Sequence, residues 1–322
     1  MHIALCIKDY TKIKNILTSE LPKDDIVEYS PSEILKASKR ADVLIPIVAS
    51  VKAEDFESTS VKLIQQFGAG LDSVDIQAAS RAKVYVANVP TPGTGNAESV
   101  AELTIAFMIS LARHMQLATA RFKEGRFGAP LGQCLWKGSV AIIGYGSIGQ
   151  EINRRLQSFG MNVTAISKHG PKGPRKRDPD LPIQRHLGLK DVEKGIADAD
   201  YLIVTAPGGP ENDGLVGQKI IGSMKKGSYL INVARGSVVD YQALLEGLEN
   251  GRLAGAGLDV FWKEPFDPKD PLMKYNVIAT PHIGGATDRS LHGIGRAVAA
   301  NVERLRIGAQ LKNCVNLRQV TF

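Results

Sequence analysis

The sequence is poor in the residues that build cross-links, metal clusters and membrane spans. Its 322 residues include three cysteines, Cys6, Cys134 and Cys314, far apart and odd in number. No Cys-x-x-Cys spacing exists, so neither a disulfide framework nor a metal site is expected. The thiols read as buried side chains of a reducing cytoplasm. No apolar run approaches the ~20 residues of a membrane-spanning helix, so no membrane association is expected. The opening stretch Met1–Ile7 is apolar but lacks a basic lead and a small-residue cleavage site, and it is stopped by Lys8 and Asp9. It reads as a first strand and not as a signal peptide, which fits a cytoplasmic location. No short-period repeat is visible. Nor does an aromatic-rich basic motif accompany the net charge of +7, so nucleic acid is not an expected partner.

What is present is an ordinary globular composition, 43% hydrophobic and 23% charged, with length enough for two domains. Short apolar runs alternate with helical patterns. The expected strands are Ile3–Ile7, Val43–Val48, Leu63–Phe67, Val84–Ala87, Val140–Ile143, Asn162–Ile166, Tyr201–Thr205, Tyr229–Val233, Ala256–Val260 and Val277–Ala279. Near-continuous apolar strands between helices mean parallel sheets covered on both faces. Their number exceeds what one such sheet usually carries, which predicts two α/β units. A boundary falls near Thr91–Gly95, a flexible stretch after a strand. One long helix is expected over about Ala97–Lys123, apolar on much of its circumference and therefore buried, partly by a second subunit. The tail from about Asp288 repeats Leu291, Ile294, Val298, Val302 and Leu305 at helical spacing and is expected to cross back to the first unit. The expected division is 1–92 plus 288–322 for one domain and 93–287 for the other, with hinges near Thr91–Gly95 and Ile283–Thr287.

The most informative stretch is Val140-Ala-Ile-Ile-Gly-Tyr-Gly-Ser-Ile-Gly149. An apolar strand runs into Gly144, Gly146 and Gly149, and a helical pattern (Ile148, Ile152, Leu156) follows at once. The first glycine makes the turn, the second lets the backbone approach a pyrophosphate, and the third lets helix and strand pack closely. The helix start adds its N–H groups and positive dipole end. Gly144, Tyr145, Gly146, Ser147, Ile148 and Gly149 are thus a candidate dinucleotide site. Gly93-Thr94-Gly95 is a decoy, because the third glycine lacks the spacing.

Three ionisable residues stand just past later strands, where doubly wound folds place their sites: Arg235, Glu264 and His282. Hydride transfer to a 2-oxo acid needs a guanidinium for the carboxylate, a histidine to move the proton on oxygen, and a carboxylate to fix that histidine's tautomer. A lone arginine at a strand end is more often a surface residue and a lone histidine after proline more often part of a capped turn, so the residues alone leave that reading open.

The chain resembles the D-isomer-specific 2-hydroxyacid dehydrogenase family over nearly its whole length. The motifs are Phe-Gly-Ala-Gly-Leu-Asp-Ser-Val-Asp (67–75), Asn-Ala-Glu-Ser-Val-Ala-Glu-Leu (96–103), the glycine turn, Asn-Val-Ala-Arg-Gly (232–236), Gly-Leu-Asp-Val-Phe (257–261), Glu264-Pro265 and Pro-His-Ile-Gly-Gly (281–285). The resemblance implies a doubly wound Rossmann cofactor domain inserted into a discontinuous, flavodoxin-like substrate domain. It implies that Arg235 orients the substrate, Glu264 partners the histidine, and His282 is the acid–base. It further implies cofactor contacts at Thr104, Thr205, Ala206, Pro207, Val233, Ala234, Gly284 and Gly285, with Asp259 on the nicotinamide carboxamide. Gly68, Ala69 and Gly70 would take the substrate carboxylate, and a homodimer is expected. Glutamate at 264 argues against the related formate dehydrogenases, which carry glutamine there.

At the end of the strand after the glycine helix, where an acid normally binds the adenosine ribose, Ser167 stands with Lys168 beside it. A serine removes repulsion of a 2′-phosphate and Lys168 can pair with it, so NADP(H) is expected over NAD(H). His169, Lys172, Arg175, Lys176 and Arg177 add local positive potential, or else form a solvated loop. The stretch Leu44–Ser50 carries no arginine and Lys52 is the only nearby cation, so a small unphosphorylated acid such as hydroxypyruvate or glyoxylate is expected. The alternatives are an enzyme of the D-3-phosphoglycerate dehydrogenase type and a dinucleotide-sensing, corepressor-like binding protein.

Overall fold

Twelve strands in two all-parallel sheets organise the chain among its described residues. The computed structural model describes residues 1–7, 10–173 and 178–320. It divides into two compact units, Met1–Asn96 with Thr287–Phe322, and Ala97–Ala286.

The first unit holds β1 (His2–Leu5), β2 (Asp25–Glu28), β3 (Val43–Ile45), β4 (Leu63–Gln65) and β5 (Tyr85–Ala87), in the doubly wound order 2-1-3-4-5. Alternation along these strands feeds two cores. Ile3, Leu5, Val43, Ile45 and Leu63 pack on one face with Leu291, Ile294 and Val298 of the helix Asp288–Arg306. Ala4, Leu44, Ile64 and Val86 pack on the other with Ile34 and Ala37. The helix Asp288–Arg306 is capped by the Thr287 hydroxyl, which accepts from the Ser290 amide. It lies so close to the helix Thr11–Glu20 that a β-carbon on Gly295 would meet Ile16 at 2.5 Å.

The second unit holds β6 (Ser139–Ile143), β7 (Asn162–Ser167), β8 (Arg185–Gly188), β9 (Tyr201–Val204), β10 (Ser228–Asn232), β11 (Leu253–Leu258) and β12 (Val277–Ala279), in the order 12-11-10-9-6-7-8. The direction of winding reverses between β6 and β9, and ligands of such sheets bind beyond the strand ends at that point. Ile143, Leu202, Val204 and Leu230 face one core, and Ile142, Ile203, Tyr229 and Ile231 the other. Burying each such side chain contributes roughly 2 kcal/mol.

Three expectations are corrected. Strands β2 and β8 are additional: both are edge strands, short and polar, and give no apolar run. The strand expected to reach Val48 stops at Ile45, because Pro46 follows and cannot donate to a ladder. The long helix breaks into Asn96–Ala112 and Met115–Lys123, because His114 takes a left-handed φ of 47°. The first piece buries Val100, Phe107, Met108 and Leu111 in its own unit, while the second buries no side chain.

Candidate active site

The glycine turn is built by close approach. Gly144 has a φ of +96°, and a β-carbon there would overlap the backbone at Thr205 and Ala206, which follow β9. The Thr205 hydroxyl donates to the Gly144 carbonyl, tying the ends of β6 and β9 together. A β-carbon on Gly149 would lie 2.8 Å from that same carbonyl, so the helix Ser147–Leu156 starts hard against the turn. Its N-cap is Gly146, and no side chain caps it. Its first N–H groups are therefore available to an anion.

Beside this turn lies a cavity of about 440 Å³, lined by Gly144, Tyr145, Gly146, Thr205, Ala206 and Pro207 and also by Ser167, Lys168, His186 and Glu211. The Ser167 hydroxyl donates to the Gly170 carbonyl at 3.2 Å and lies 2.9 Å from Nε2 of His186. Lys168 Nζ donates to Glu211 Oε2 at 2.7 Å. His169 also lines the cavity, whereas Arg175, Lys176 and Arg177 lie outside the described residues. A glycine-lined turn, an open helix start and polar side chains in the lining suit a dinucleotide.

Past β10 the chain turns to present Arg235. The turn is shaped by Asn232, fully buried, whose Oδ1 accepts the Ala234 amide at 3.0 Å and whose Nδ2 donates to the Arg235 carbonyl at 2.9 Å. Gly236 follows, and a β-carbon there would overlap the backbone of Phe261 and Trp262. That contact brings the Arg235 turn against the segment carrying Glu264. Val233 and Ala234 are buried in the same turn.

Glu264 and His282 form a pair, Oε2 to Nδ1 at 2.9 Å. The other oxygen, Oε1, accepts the Phe261 amide at 3.2 Å. Burial pushes the Glu264 carboxyl up, but the His282 hydrogen bond and charge, the Phe261 amide and the Arg235 charge bring it below its ordinary value. Arginine, carboxylate and imidazole therefore share one field. Both partners stay partly exposed, 44% for the His282 side chain and 38% for Glu264, as a site that meets substrate requires.

His282 itself sits at a positive φ of 55°, in a turn held from beneath by Asp259. The Asp259 carboxylate is 2% exposed. It accepts the Thr280 hydroxyl at 2.6 Å, the Ile283 amide at 2.8 Å and the Gly284 amide at 2.8 Å. Gly285 follows, half-buried. The contacts given by Asp259 are thus to the chain itself, where the resemblance implies a cofactor carboxamide.

Two further expected groups belong to other elements. Thr104 is fully buried in its helix, and its hydroxyl donates to the Val100 carbonyl at 2.8 Å, so it presents no surface to a cofactor. Gly68, Ala69 and Gly70 follow β4 in the first unit. There Gly68 has a φ of +138° and accepts the Val89 amide, while the Ala69 carbonyl accepts from Asn88. Sequence reasoning gave no role to Asn232 and Gly236, quoted only as the ends of the 232–236 motif, nor to Thr280, His186 and Glu211. A lone asparagine ending an apolar strand and a glycine following an arginine were available signals for the first two.

A doubly wound domain with a glycine cradle at its switch point defines a dinucleotide-binding α/β protein. Residues 105–284 match the family model described as "D-isomer specific 2-hydroxyacid dehydrogenase, NAD binding domain". The chain is 35% identical to the hydroxypyruvate reductase of Thermotoga maritima over 272 residues, 82% of this chain and 84% of that protein. It is 32% identical to the D-3-phosphoglycerate dehydrogenase of Methanocaldococcus jannaschii over 297 residues, 89% of this chain and 54% of that protein. It spans about half the length of the D-3-phosphoglycerate dehydrogenases it matches. Among solved structures, the TT0316 protein from Thermus thermophilus is similar with a TM-score of 0.83 at 30% identity, covering 98% of this chain and 100% of that one. The chain belongs to the D-isomer specific 2-hydroxyacid dehydrogenase family.

Proposed function

We propose that the protein is an oxidoreductase moving a hydride between NADP(H), in preference to NAD(H), and a small unphosphorylated 2-oxo or D-2-hydroxy acid, with hydroxypyruvate and glyoxylate as the first substrates to test. The observation that carries the reading is the 2.9 Å pair of His282 and Glu264, with Arg235 acting on the same carboxylate. When bound, the nicotinamide supplies or accepts the hydride. Arg235 grips the substrate carboxylate and polarises the adjacent carbonyl. Glu264 holds Nδ1, which leaves Nε2 of His282 to move the proton. As imidazolium it protonates the oxygen in reduction, and as neutral imidazole it takes that proton back in oxidation. The Asp259 contacts keep His282 in place while it does so.

The decisive experiment follows NADPH and NADH absorbance with hydroxypyruvate, glyoxylate, pyruvate and 3-phosphohydroxypyruvate. Oxidation at enzymatic rates excludes the corepressor-like reading. The relatives named D-3-phosphoglycerate dehydrogenase favour the phosphorylated substrate as second reading. Against it, Lys52 stands 4.0 Å from the Glu54 carboxylate, which offsets its charge.

A second copy of the chain is the proposed cover for a run of exposed apolar side chains: Met115, Leu117, Phe122, Phe127, Leu131 and Trp136. Light scattering that gives the mass of one chain at micromolar concentration counts against a homodimer.

A further inference from the structure

Where dinucleotide domains of this kind place an acid at the end of the second strand, this chain has Ser167. A carboxylate nevertheless reaches the same wall of the cavity from another element. Glu211, in the loop after β9, is the one acidic residue among the described residues that line it. It meets Lys168 across 43 positions of sequence, Oε2 to Nζ at 2.7 Å. Both side chains are well exposed, at 61% and 64%. The Lys168 hydrogen bond and charge keep the Glu211 carboxyl below its ordinary value, so it is a carboxylate at neutral pH.

Resting on the reading that NADP(H) is a cofactor of this protein, we propose that Glu211 is a specificity-determining residue that competes with the cofactor's 2′-phosphate for Lys168. The phosphate carries up to two negative charges, and Lys168 offers one ammonium. The carboxylate must turn away for the phosphate to be paired, and while it stays it repels the phosphate. NAD(H) has a hydroxyl at that position, leaves the ion pair in place and meets a carboxylate able to accept a hydrogen bond. Glu211 therefore weakens NADP(H) binding without weakening NAD(H) binding. Because the pair is solvent-exposed it breaks cheaply, so the balance between the two cofactors answers to this one residue and to salt.

The test is the dissociation constant of NADPH and of NADH, by isothermal titration, for the wild type, Glu211→Gln, Lys168→Ala and the double variant. Glu211→Gln is expected to tighten NADPH about fivefold, the size of one exposed charge contact, and to leave NADH no tighter. In the Lys168→Ala background the same change is expected to gain less than about twofold, because the exposed carboxylate, no longer held there by the lysine, turns into solvent and neither competes with the phosphate nor stays to repel it. An NADPH constant unmoved by Glu211→Gln, or an equal gain for both cofactors, overturns the proposal. Each comparison is made within one cofactor. A wild type that binds NADH more tightly than NADPH therefore sinks the stated cofactor preference without deciding the role of Glu211. Retained NADH binding shows that the variant is folded.

Discussion

Asp259 accepts the amide of Gly284 at 2.8 Å, and through it the turn that carries His282 is fastened to the end of β11. The same carboxylate takes the Thr280 hydroxyl and the Ile283 amide. Asp259→Asn keeps the volume but turns one acceptor into a donor facing a donor. Hydrogen bonds to a buried charge are worth about 2 kcal/mol each, so the variant is expected to melt several degrees lower. It is also expected to lose kcat more than cofactor affinity, because the displaced group is His282. A melting temperature and a kcat both within error of wild type refute this fastening role.

Removing the imidazole tests the chemistry directly. His282→Ala is expected to lower kcat by about 10²–10⁴ while the dissociation constant for NADPH changes little. Near-normal turnover removes His282 from the proposed mechanism.

The pH dependence of Glu264 has a definite sign. Its carboxyl lies below the ordinary 4.5 in the folded chain, so the folded state binds the proton less readily than the unfolded chain does. The stabilisation is fully present above that ordinary value and is lost as pH falls through the lower folded one. Urea titrations of wild type and Glu264→Gln are therefore expected to converge on going from pH 6 to about pH 3. A gap that widens on acidification contradicts the pairing with His282.

Gly236→Ala probes the approach of the Arg235 turn to Phe261. The added methyl overlaps backbone, which cannot swing aside as a side chain can. A loss of about 1–3 kcal/mol is expected, and with it a rise in KM, since Arg235 shifts when its turn is pushed outward. Unchanged stability and KM together mean that the turn has room the structure does not give it.

How much of this was legible in the sequence depends on burial. Tyr201–Val204 is apolar at every position because both faces of β9 are covered, and it reads as a strand unaided. The edge strands Asp25–Glu28 and Arg185–Gly188 carry charge within four residues and do not. The helix break at His114 is invisible for another reason: a left-handed φ at a histidine has no local signature among apolar neighbours. The glycine turn and the Arg235, Glu264 and His282 positions were legible because each follows a strand end. The polar wall of the cavity was not. His186 comes from an unrecognised strand and Glu211 from a loop, and only folding brings them to Ser167 and Lys168.

The proposed cofactor preference rests in part on Ser167. Its hydroxyl fills the place of an acid and is held by the Gly170 carbonyl and His186. Ser167→Asp puts a carboxylate where it repels a 2′-phosphate and can accept the ribose hydroxyls instead. The ratio of kcat/KM for NADPH over NADH is expected to fall by about tenfold or more, since 1.4 kcal/mol of repulsion already gives that factor. The direction distinguishes this from general damage, because NADH use is expected to hold or rise while NADPH use falls. A ratio that does not move means that the phosphate is recognised elsewhere, or that the protein has no use for it.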